Sequence, residues 1–237
     1  MIVETCCDSI TAMYAAIIAG TDRIELCYDL SCGGVSPHHA DIDEAGTLKG
    51  LPVNVLIRPR GGDFVYDEKE IEKMFYKIAY CANCGLNGVV IGALTKEGDV
   101  DMELCRELVS VARTYGLSVT FHRAIDEARD IFQALEDVIS LGVDRVLTSG
   151  GAPDAWTGRE TIRRMVEQAA GRTIILPGGG VTPENAVALA EYTGVTELHG
   201  TRTGIIRAVR SFGPSGPQDD SPFILSEAKK QNETKNS

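Results

Sequence analysis

The sequence is short of aromatic side chains, of positive charge and of long apolar runs. Aromatic residues make up 6% of the 237 positions, and a single tryptophan is among them. Basic side chains number 23 against 34 acidic ones, which gives a net charge of −11. Such an acidic chain repels phosphate backbones, so we expect no nucleic acid partner. No run approaches the roughly 18 apolar residues of a membrane-spanning helix, so we expect no membrane partner.

The N-terminal residues lack a basic stretch followed by an apolar one, which is the pattern of a secretory signal. We therefore expect a cytoplasmic protein. Its seven cysteines, an odd number, would then be free thiols in a reducing compartment. So many thiols in an acidic chain suggest metal or redox chemistry.

Short β-branched runs alternate with amphipathic segments along most of the chain. Apolar residues at Ile71, Met74 and Ile78 follow helical spacing, and other segments repeat the pattern. The junctions Gly20–Ile24 and Gly142–Val146 are nearly the same sequence, which indicates a recurring turn from helix to strand. Eight strands with seven or eight helices predict a closed TIM-type (β/α)8 barrel of the α/β class. The predicted strands are Ile2–Cys7, Arg23–Cys27, Val53–Arg58, Gly88–Ile91, Ser118–His122, Arg145–Thr148, Thr173–Leu176 and Glu197–His199.

The barrel is predicted to be a single domain over residues 1–212. A doubly wound sheet fits less well, because Cys7-Asp8-Ser9 offers no glycine-rich loop after the first strand. After residue 212, Gly213–Pro217 is a linker of turn-forming residues, and the rest is polar apart from Phe223–Leu225. We interpret residues 213–237 as a flexible or docking C-terminal tail.

The first two strands carry the same short pattern at the end where a barrel of this type has its active face. Strand one contains Glu4 and Cys6, and strand two contains Glu25 and Cys27. In each Glu-x-Cys, both side chains point to one face, and neighbouring strands lie about 4.8 Å apart. The two thiols can therefore approach each other, as Cu(I) or one side of a zinc site requires. The alternative is that each cysteine is simply a small buried hydrophobe.

Two arginines follow the third strand, on either side of a proline. Arg58 and Arg60 are stiffly held there, because proline restricts its own backbone and that of the residue before it. Paired guanidinium groups suit a carboxylate or a phosphate. The alternative is internal ion pairing, with Glu4, Glu25 or Asp63 as the acid.

The fifth strand ends in a histidine, with an acid four residues later. His122 and Asp126 at this position are candidates for proton transfer, and Arg123 between them joins the candidate catalytic group. The alternative is a histidine that is simply a hydrogen-bonded part of the core.

Glycine-rich loops follow the last strands, and such loops expose backbone N–H groups that commonly hold an anion in barrels. No lysine lies at any predicted strand end, which disfavours aldolase chemistry through a Schiff base. The candidate anion-binding residues here are Ser149, Gly150, Gly178, Gly179, Gly180 and His199.

Together, several of these motifs resemble the CutC copper-homeostasis family. The resemblance runs from Ile2 to about Arg202 and implies a TIM-type barrel, a cytoplasmic location and a homodimer or higher homo-oligomer. It also implies Cu(I) binding, with Cys6 and Cys27 at the ligand positions. One departure is Cys32, where the family usually has a glutamate. The motifs that carry the resemblance are Glu4-x-Cys6-x-Asp8-Ser9, Asp22–Cys27, Ile57–Phe64, Thr120–Ala124, Leu147–Gly150 and Pro177–Gly180.

Two functions are therefore open at this point. The first is a copper homeostasis protein that binds Cu(I) through Cys6 and Cys27, with Glu4 and Glu25 tuning the site. Its partner is the copper ion.

The second is a TIM-barrel enzyme acting on a small anionic substrate, phosphorylated or sugar-like. Arg58 and Arg60 would hold the anion, and His122 with Asp126 would move a proton. A glycine-rich, polar barrel mouth motivates this alternative.

Overall fold

The computed structural model describes residues 1–212, in which eight strands alternate with eight α-helices. The predicted tail, residues 213–237, lies outside this part of the chain. The strands are β1 (Ile2–Cys7), β2 (Arg23–Leu26), β3 (Val53–Leu56), β4 (Gly88–Ile91), β5 (Ser118–Phe121), β6 (Arg145–Thr148), β7 (Ile174–Pro177) and β8 (Glu197–Gly200). The helices are α1 (Ile10–Ala19), α2 (His39–Gly46), α3 (Glu68–Asn83), α4 (Met102–Thr114), α5 (Ile131–Ser140), α6 (Arg159–Ala169), α7 (Ala186–Thr193) and α8 (Gly204–Phe212).

The strands form one parallel sheet in the order β7-β6-β5-β4-β3-β2-β1-β8. Strands β7 and β8 lie side by side, so the sheet curls into a nearly closed barrel. The predicted TIM-type fold is confirmed. None of the helices described combines the length and apolar character that crossing a bilayer demands.

Local sequence signals account for many of the turns and helix ends. Gly20 and Gly142 both have positive φ angles, at 81° and 73°, as the repeated junctions predict for a residue that ends a helix. Helix α3 starts with a capping box, in which the Asp67 side chain accepts from the N–H of Glu70 and the Glu70 side chain accepts from the N–H of Asp67. These caps set the position of each helix relative to the strand that follows.

Three strands end earlier than predicted, at Leu26, Leu56 and Phe121. The backbone beyond them bonds to loops as well as to the neighbouring strand. The N–H of Arg58 donates to the Ser36 hydroxyl at 2.9 Å, and His122 starts a short 3-10 helix. The side chains that follow these strands are therefore held by loops at the barrel mouth.

The core has two parts. The larger part lies between the strands and the surrounding helices. The smaller part lies inside the barrel and consists of Cys6, Cys27, Leu56 and Val90, with Leu30 packed against it. Much of the remaining barrel interior is polar and buried, and includes Glu4, Arg23, Glu25, Asn54, Thr120, His122, Glu197 and His199.

Candidate metal centre and the cavity beside it

The pairing of β1 with β2 is shifted relative to the repeated Glu-x-Cys pattern. Cys6 lies level with Glu25, and Glu4 lies level with Arg23. Cys27 is therefore two residues nearer the barrel mouth than Cys6. A stagger between neighbouring strands is a geometric requirement of a closed barrel. Because of it, the two cysteines meet diagonally.

The two cysteine sulfurs nevertheless lie close together. Cys6 Sγ and Cys27 Sγ are 3.6 Å apart, and both thiols are free and buried. A disulfide would require about 2.05 Å. With metal–sulfur bonds of about 2.3 Å, this separation corresponds to a bent S–metal–S angle of about 100°, which leaves space for a third donor.

Two further donors lie beside Cys6. Its Sγ, a carboxylate oxygen of Glu25 and a ring nitrogen of His199 all lie within 4.8 Å of one another, and all three residues are buried. Glu25 Oε1 accepts a hydrogen bond from the Cys6 thiol at 3.8 Å, whereas Glu25 Oε2 is buried with no partner in the described chain. The donor set therefore fits a metal ion, because an oxygen and a nitrogen flank the soft sulfur pair.

The surroundings raise the pKa values of Cys6, Glu25 and His199. The hydrogen bond with Cys27, burial and the charge of Glu25 raise the pKa of Cys6 well above its usual range. Burial raises the pKa of Glu25 to about 7, against the charge of His199. Burial by itself lowers the pKa of His199, but the charges of Glu25 and Glu4 raise it above its ordinary value. A metal ion entering this cluster would displace protons from it.

Glu4 lies below the donor cluster. Its carboxylate accepts hydrogen bonds from Arg23 and is 2.8 Å from Nδ1 of His199. Burial acts to raise the pKa of Glu4, but the hydrogen bond from His199 and the charge of Arg23 lower it to about 2. The sequence analysis placed Glu4 at the metal site as a residue that tunes it. In the structure it is a partner of His199, and it orients that ring.

A cavity of about 410 Å³ opens beside the cluster, at the carboxyl ends of the strands. Its wall contains the apolar side chains Leu30, Leu56 and Phe64 as well as polar groups. Nine of the residues singled out from sequence line it, namely Cys6, Glu25, Cys27, Arg58, His122, Arg123, Gly179, Gly180 and His199.

The two arginines after β3 have different surroundings. Arg58 lines the cavity, donates to the carbonyl oxygens of Gly34 (3.0 Å) and Gly62 (2.6 Å), and lies over the ring of Phe64. Arg60 is not part of the cavity wall and pairs with an acidic side chain at each of two positions, Asp63 (2.8 Å) and Glu70 (2.7 Å). For Arg60, the structure therefore shows the internal pairing that the sequence analysis left as the alternative.

The predicted pair of His122 and Asp126 does not form a hydrogen bond in the described chain. Asp126 accepts from the Thr148 hydroxyl at 2.5 Å, from the N–H of Ser149 and from Arg123 Nε. Its carboxylate therefore ties the loops after β5 and β6 together. Proton transfer by His122 and Asp126 stays a prediction, and in the structure Asp126 positions Arg123.

The glycines of the late loops divide into two kinds. Gly179 and Gly180 line the cavity, whereas a Cβ on Gly178 would lie 2.5 Å from a Leu147 methyl group and 3.0 Å from the His199 ring. Gly178 is needed for close packing beside His199. Gly150 likewise has a positive φ of 72°, and a Cβ there would meet a loop carbonyl oxygen.

His199 is the residue whose place the sequence analysis missed. It was assigned to anion binding, and the structure places it in the metal-donor cluster with Cys6 and Glu25. Glu4 and His199 are level with each other across the pairing of β1 with β8. The available signal was the closure of the barrel, which makes the first and last strands neighbours.

The CutC family model matches residues 1–204 of this chain. The chain belongs to the CutC family. A CutC family protein from Vibrio campbellii is 46% identical over 196 residues, which cover 83% of this chain and 79% of the relative. A solved structure of a candidate copper homeostasis protein CutC from Streptococcus agalactiae is 33% identical, with a TM-score of 0.81. That likeness covers 86% of this chain and 99% of the other.

More distant solved structures share the barrel fold of the CutC family. One is deoxyribose phosphate aldolase from Aeropyrum pernix, with a TM-score of 0.64 at 15% identity, covering 89% of this chain and 90% of the aldolase. At that identity the likeness concerns the fold alone.

Proposed function

We propose that this protein binds Cu(I), with the thiolates of Cys6 and Cys27 as its ligands. The observation that carries the proposal is the 3.6 Å separation of two free, buried sulfurs beside an open cavity. Soft thiolates favour Cu(I) over hard cations. The Streptococcus agalactiae relative, described as a candidate copper homeostasis protein, supports the same cargo.

The arrangement of donors favours Cu(I) over zinc. A structural zinc site uses four convergent donors in a tetrahedron. Here the donor atoms of Cys6, Glu25 and His199 lie within 4.8 Å of one another, and the Cys27 sulfur contacts this group through the Cys6 sulfur, 3.6 Å away. Cys27 is not a member of that group, so the four donors do not converge on one point, and the pair of sulfurs suits Cu(I), which accepts few ligands.

The surroundings explain how the chain would hold such an ion. Glu4 fixes the ring of His199 through Nδ1, so the remaining nitrogen is held in one orientation. The apolar side chains Leu56 and Val90 pack against the cysteines and limit access of water to the sulfurs. Metal binding requires the thiols to lose their protons, and the cavity beside them provides the way in and out.

An anaerobic titration with Cu(I) against a competing chelator tests the proposal. We expect one tightly held Cu(I) in the wild type and an affinity lower by at least about 100-fold in Cys6→Ser and in Cys27→Ser. Cys105→Ser is the matched control, because Cys105 is equally buried but lies in α4, outside the cavity wall. Equal affinity in all four proteins would refute the proposal, and a parallel titration with zinc reports on metal preference.

We further infer a cytoplasmic location and a homo-oligomer of at least two copies, as membership of the CutC family implies. The seven cysteines in the sequence agree with a reducing compartment. Cell fractionation tests the location, and light scattering at several concentrations tests the oligomer. The enzyme alternative is less well supported, because Asp126 binds Thr148 and Ser149, and Arg60 binds Asp63 of its own loop and Glu70 of α3.

A further inference from the structure

Polar atoms without partners also lie in the wall of this cavity. His122 and Arg58 are 4% and 6% exposed, and both line the cavity. His122 Nε2 and Arg58 Nε are buried and lack a hydrogen-bond partner within residues 1–212. A buried donor without an acceptor costs about 1–3 kcal/mol, so this pair of atoms calls for an explanation.

The hydrogen bonding of His122 identifies which of its nitrogens carries the proton. The backbone N–H of Ala124 donates to His122 Nδ1 at 3.2 Å, so Nδ1 is an acceptor and carries no proton. Burial and the charge of Arg58 lower the pKa of His122 to about 3, so the ring is neutral at physiological pH. A neutral ring with a bare Nδ1 has its proton on Nε2. The unpartnered Nε2 is therefore a hydrogen-bond donor in need of an acceptor.

Positive charge surrounds this donor. The Arg58 guanidinium is close enough to depress the His122 pKa, and both side chains contact the ring of Phe64. Arg123 also lines the cavity, and its Nε and Nη2 bind Asp126 and Ser149. Its Nη1 lies 3.1 Å from where a Cβ on Gly179 would be. The guanidinium is thus fixed at the mouth by two of its nitrogens.

The cavity is larger than an ion requires. Its volume of about 410 Å³ falls in the range of small-molecule pockets, about 300–1,000 Å³. His122 directly follows β5, which is four strands away from β1 in the sheet order, so His122 lies opposite Cys6 across the barrel. The sulfurs and the donor group therefore occupy different walls of one cavity.

We propose that the wall formed by His122, Arg58 and Arg123 binds the oxyanion group of a small molecule, a carboxylate or a phosphate. An oxygen of the ligand accepts the Nε2–H of His122, and the two arginines balance its charge. The rest of the ligand occupies the space between this wall and the sulfurs. This second site goes beyond copper binding and does not depend on it.

The test is a titration of the reduced, metal-free protein followed by NMR. With ¹⁵N-labelled histidine, the four histidines report separately. We expect the Nε2 signal of His122 to shift on addition of inorganic phosphate or of malonate, and the tighter of the two identifies the oxyanion. Arg123→Gln, followed through the His122 signal, and His122→Phe, followed through the His199 signal in the same cavity, should each weaken binding by about ten-fold or more, the effect of losing one charge-assisted hydrogen bond.

The control variant addresses binding to the outer surface. A second cavity of about 330 Å³ between α2 and α3 contains Lys73 and Lys77 with His38 and His39. Lys73→Gln should leave the anion affinity unchanged. A shift confined to His38 and His39, or an unmoved His122 signal at tens of millimolar of both anions, would overturn the proposal. Because the protein carries no copper, failure of copper binding cannot produce that negative result.

Discussion

The two ends of the barrel interior handle buried polar groups in opposite ways. At the amino ends of the strands, Arg23 binds both Glu4 and Glu197, and Arg145 also binds Glu197 at 2.8 Å. At the carboxyl ends, buried polar atoms of Glu25, Arg58 and His122 have no partner in the described part of the chain. The side chains of Arg23, Glu4 and Glu197 at one end and of Glu25, Arg58 and His122 at the other are all buried.

The difference indicates that the buried polar groups at the amino ends of the strands serve stability and that those at the carboxyl ends serve function. A buried charge is tolerated when hydrogen bonds and an opposite charge satisfy it, as at the amino ends. Unsatisfied buried groups cost stability, so a fold that keeps them at one end has a use for them there. In barrels of this type the carboxyl ends of the strands are the functional end.

The largest effect is expected for Arg23→Met. The substitution removes the guanidinium that Glu4 and Glu197 share, and both carboxylates stay buried. Breaking a buried ion network by removing one partner costs about 3–5 kcal/mol. Denaturant unfolding measures this loss.

Arg163→Met is the matched control for Arg23→Met. Arg163 also binds two glutamates, Glu160 and Glu167, but on the exposed surface of α6. Exposed pairs contribute about 0–1 kcal/mol. Equal losses in the two variants would contradict the proposed role of the buried network.

The second prediction concerns Gly92, which follows β4. A Cβ there would lie 2.5 Å from the His122 ring. We expect Gly92→Ala to destabilise the protein by about 1–3 kcal/mol through overpacking, and to weaken anion binding because the His122 ring is displaced. In a His122→Ala background the penalty should fall, since the ring is gone. An additive double-mutant cycle would show that the clash involves some other group.

The third prediction is a pH dependence that originates at His122. Its folded pKa of about 3 lies below the ordinary 6.5, because burial and Arg58 disfavour the charged ring. Between these values the unfolded chain binds a proton that the folded chain does not, so stability falls as the pH falls from 6.5 toward 3. The slope from this group is up to about 1.4 kcal/mol per pH unit.

Unfolding of His122→Gln over the same pH range isolates that contribution. The wild type should lose stability faster than the variant between pH 6 and pH 4, because carboxylate titrations are common to both. Parallel curves would mean that His122 is protonated in the folded state.

The smallest effect is expected for Arg60→Ala. Its partner Asp63 is exposed in the loop after β3, its partner Glu70 lies in the first turn of α3, and Arg60 is about one-third exposed. We expect a loss of about 0–1 kcal/mol and no change in copper or anion binding. A loss of anion binding equal to that of Arg123→Gln would return Arg60 to the site.

The barrel could be predicted from sequence because its signals are local and repeated. Gly20, Gly85, Gly142 and Gly194 all have positive φ angles at or just after the end of a helix, so the same turn recurs in several of the units. The site was harder, because its geometry depends on how strands pair around the barrel. A stagger of the strands places Cys6 level with Glu25, and Glu4 level with Arg23.

Hydrogen bonds between residues far apart in the sequence could not be predicted from local sequence patterns either. Asp126 and His122 are four residues apart in sequence, which suggested a pair. In the structure Asp126 accepts hydrogen bonds from the hydroxyl of Thr148, at the end of β6, and from the N–H of Ser149, just after it. Likewise His199 is linked to Glu4 across 195 residues, and only closure of the barrel brings them together.

That closure sets an order of events during synthesis. The ribosome makes Cys6 and Cys27 early, whereas His199 belongs to β8, the last strand to be made, which pairs with β1. Until β8 has been made, Cys6 lies on a strand with one unpaired edge, and Glu4 lacks the ring that it holds in the finished barrel. The donor cluster therefore cannot be complete before the last strand of the barrel is in place.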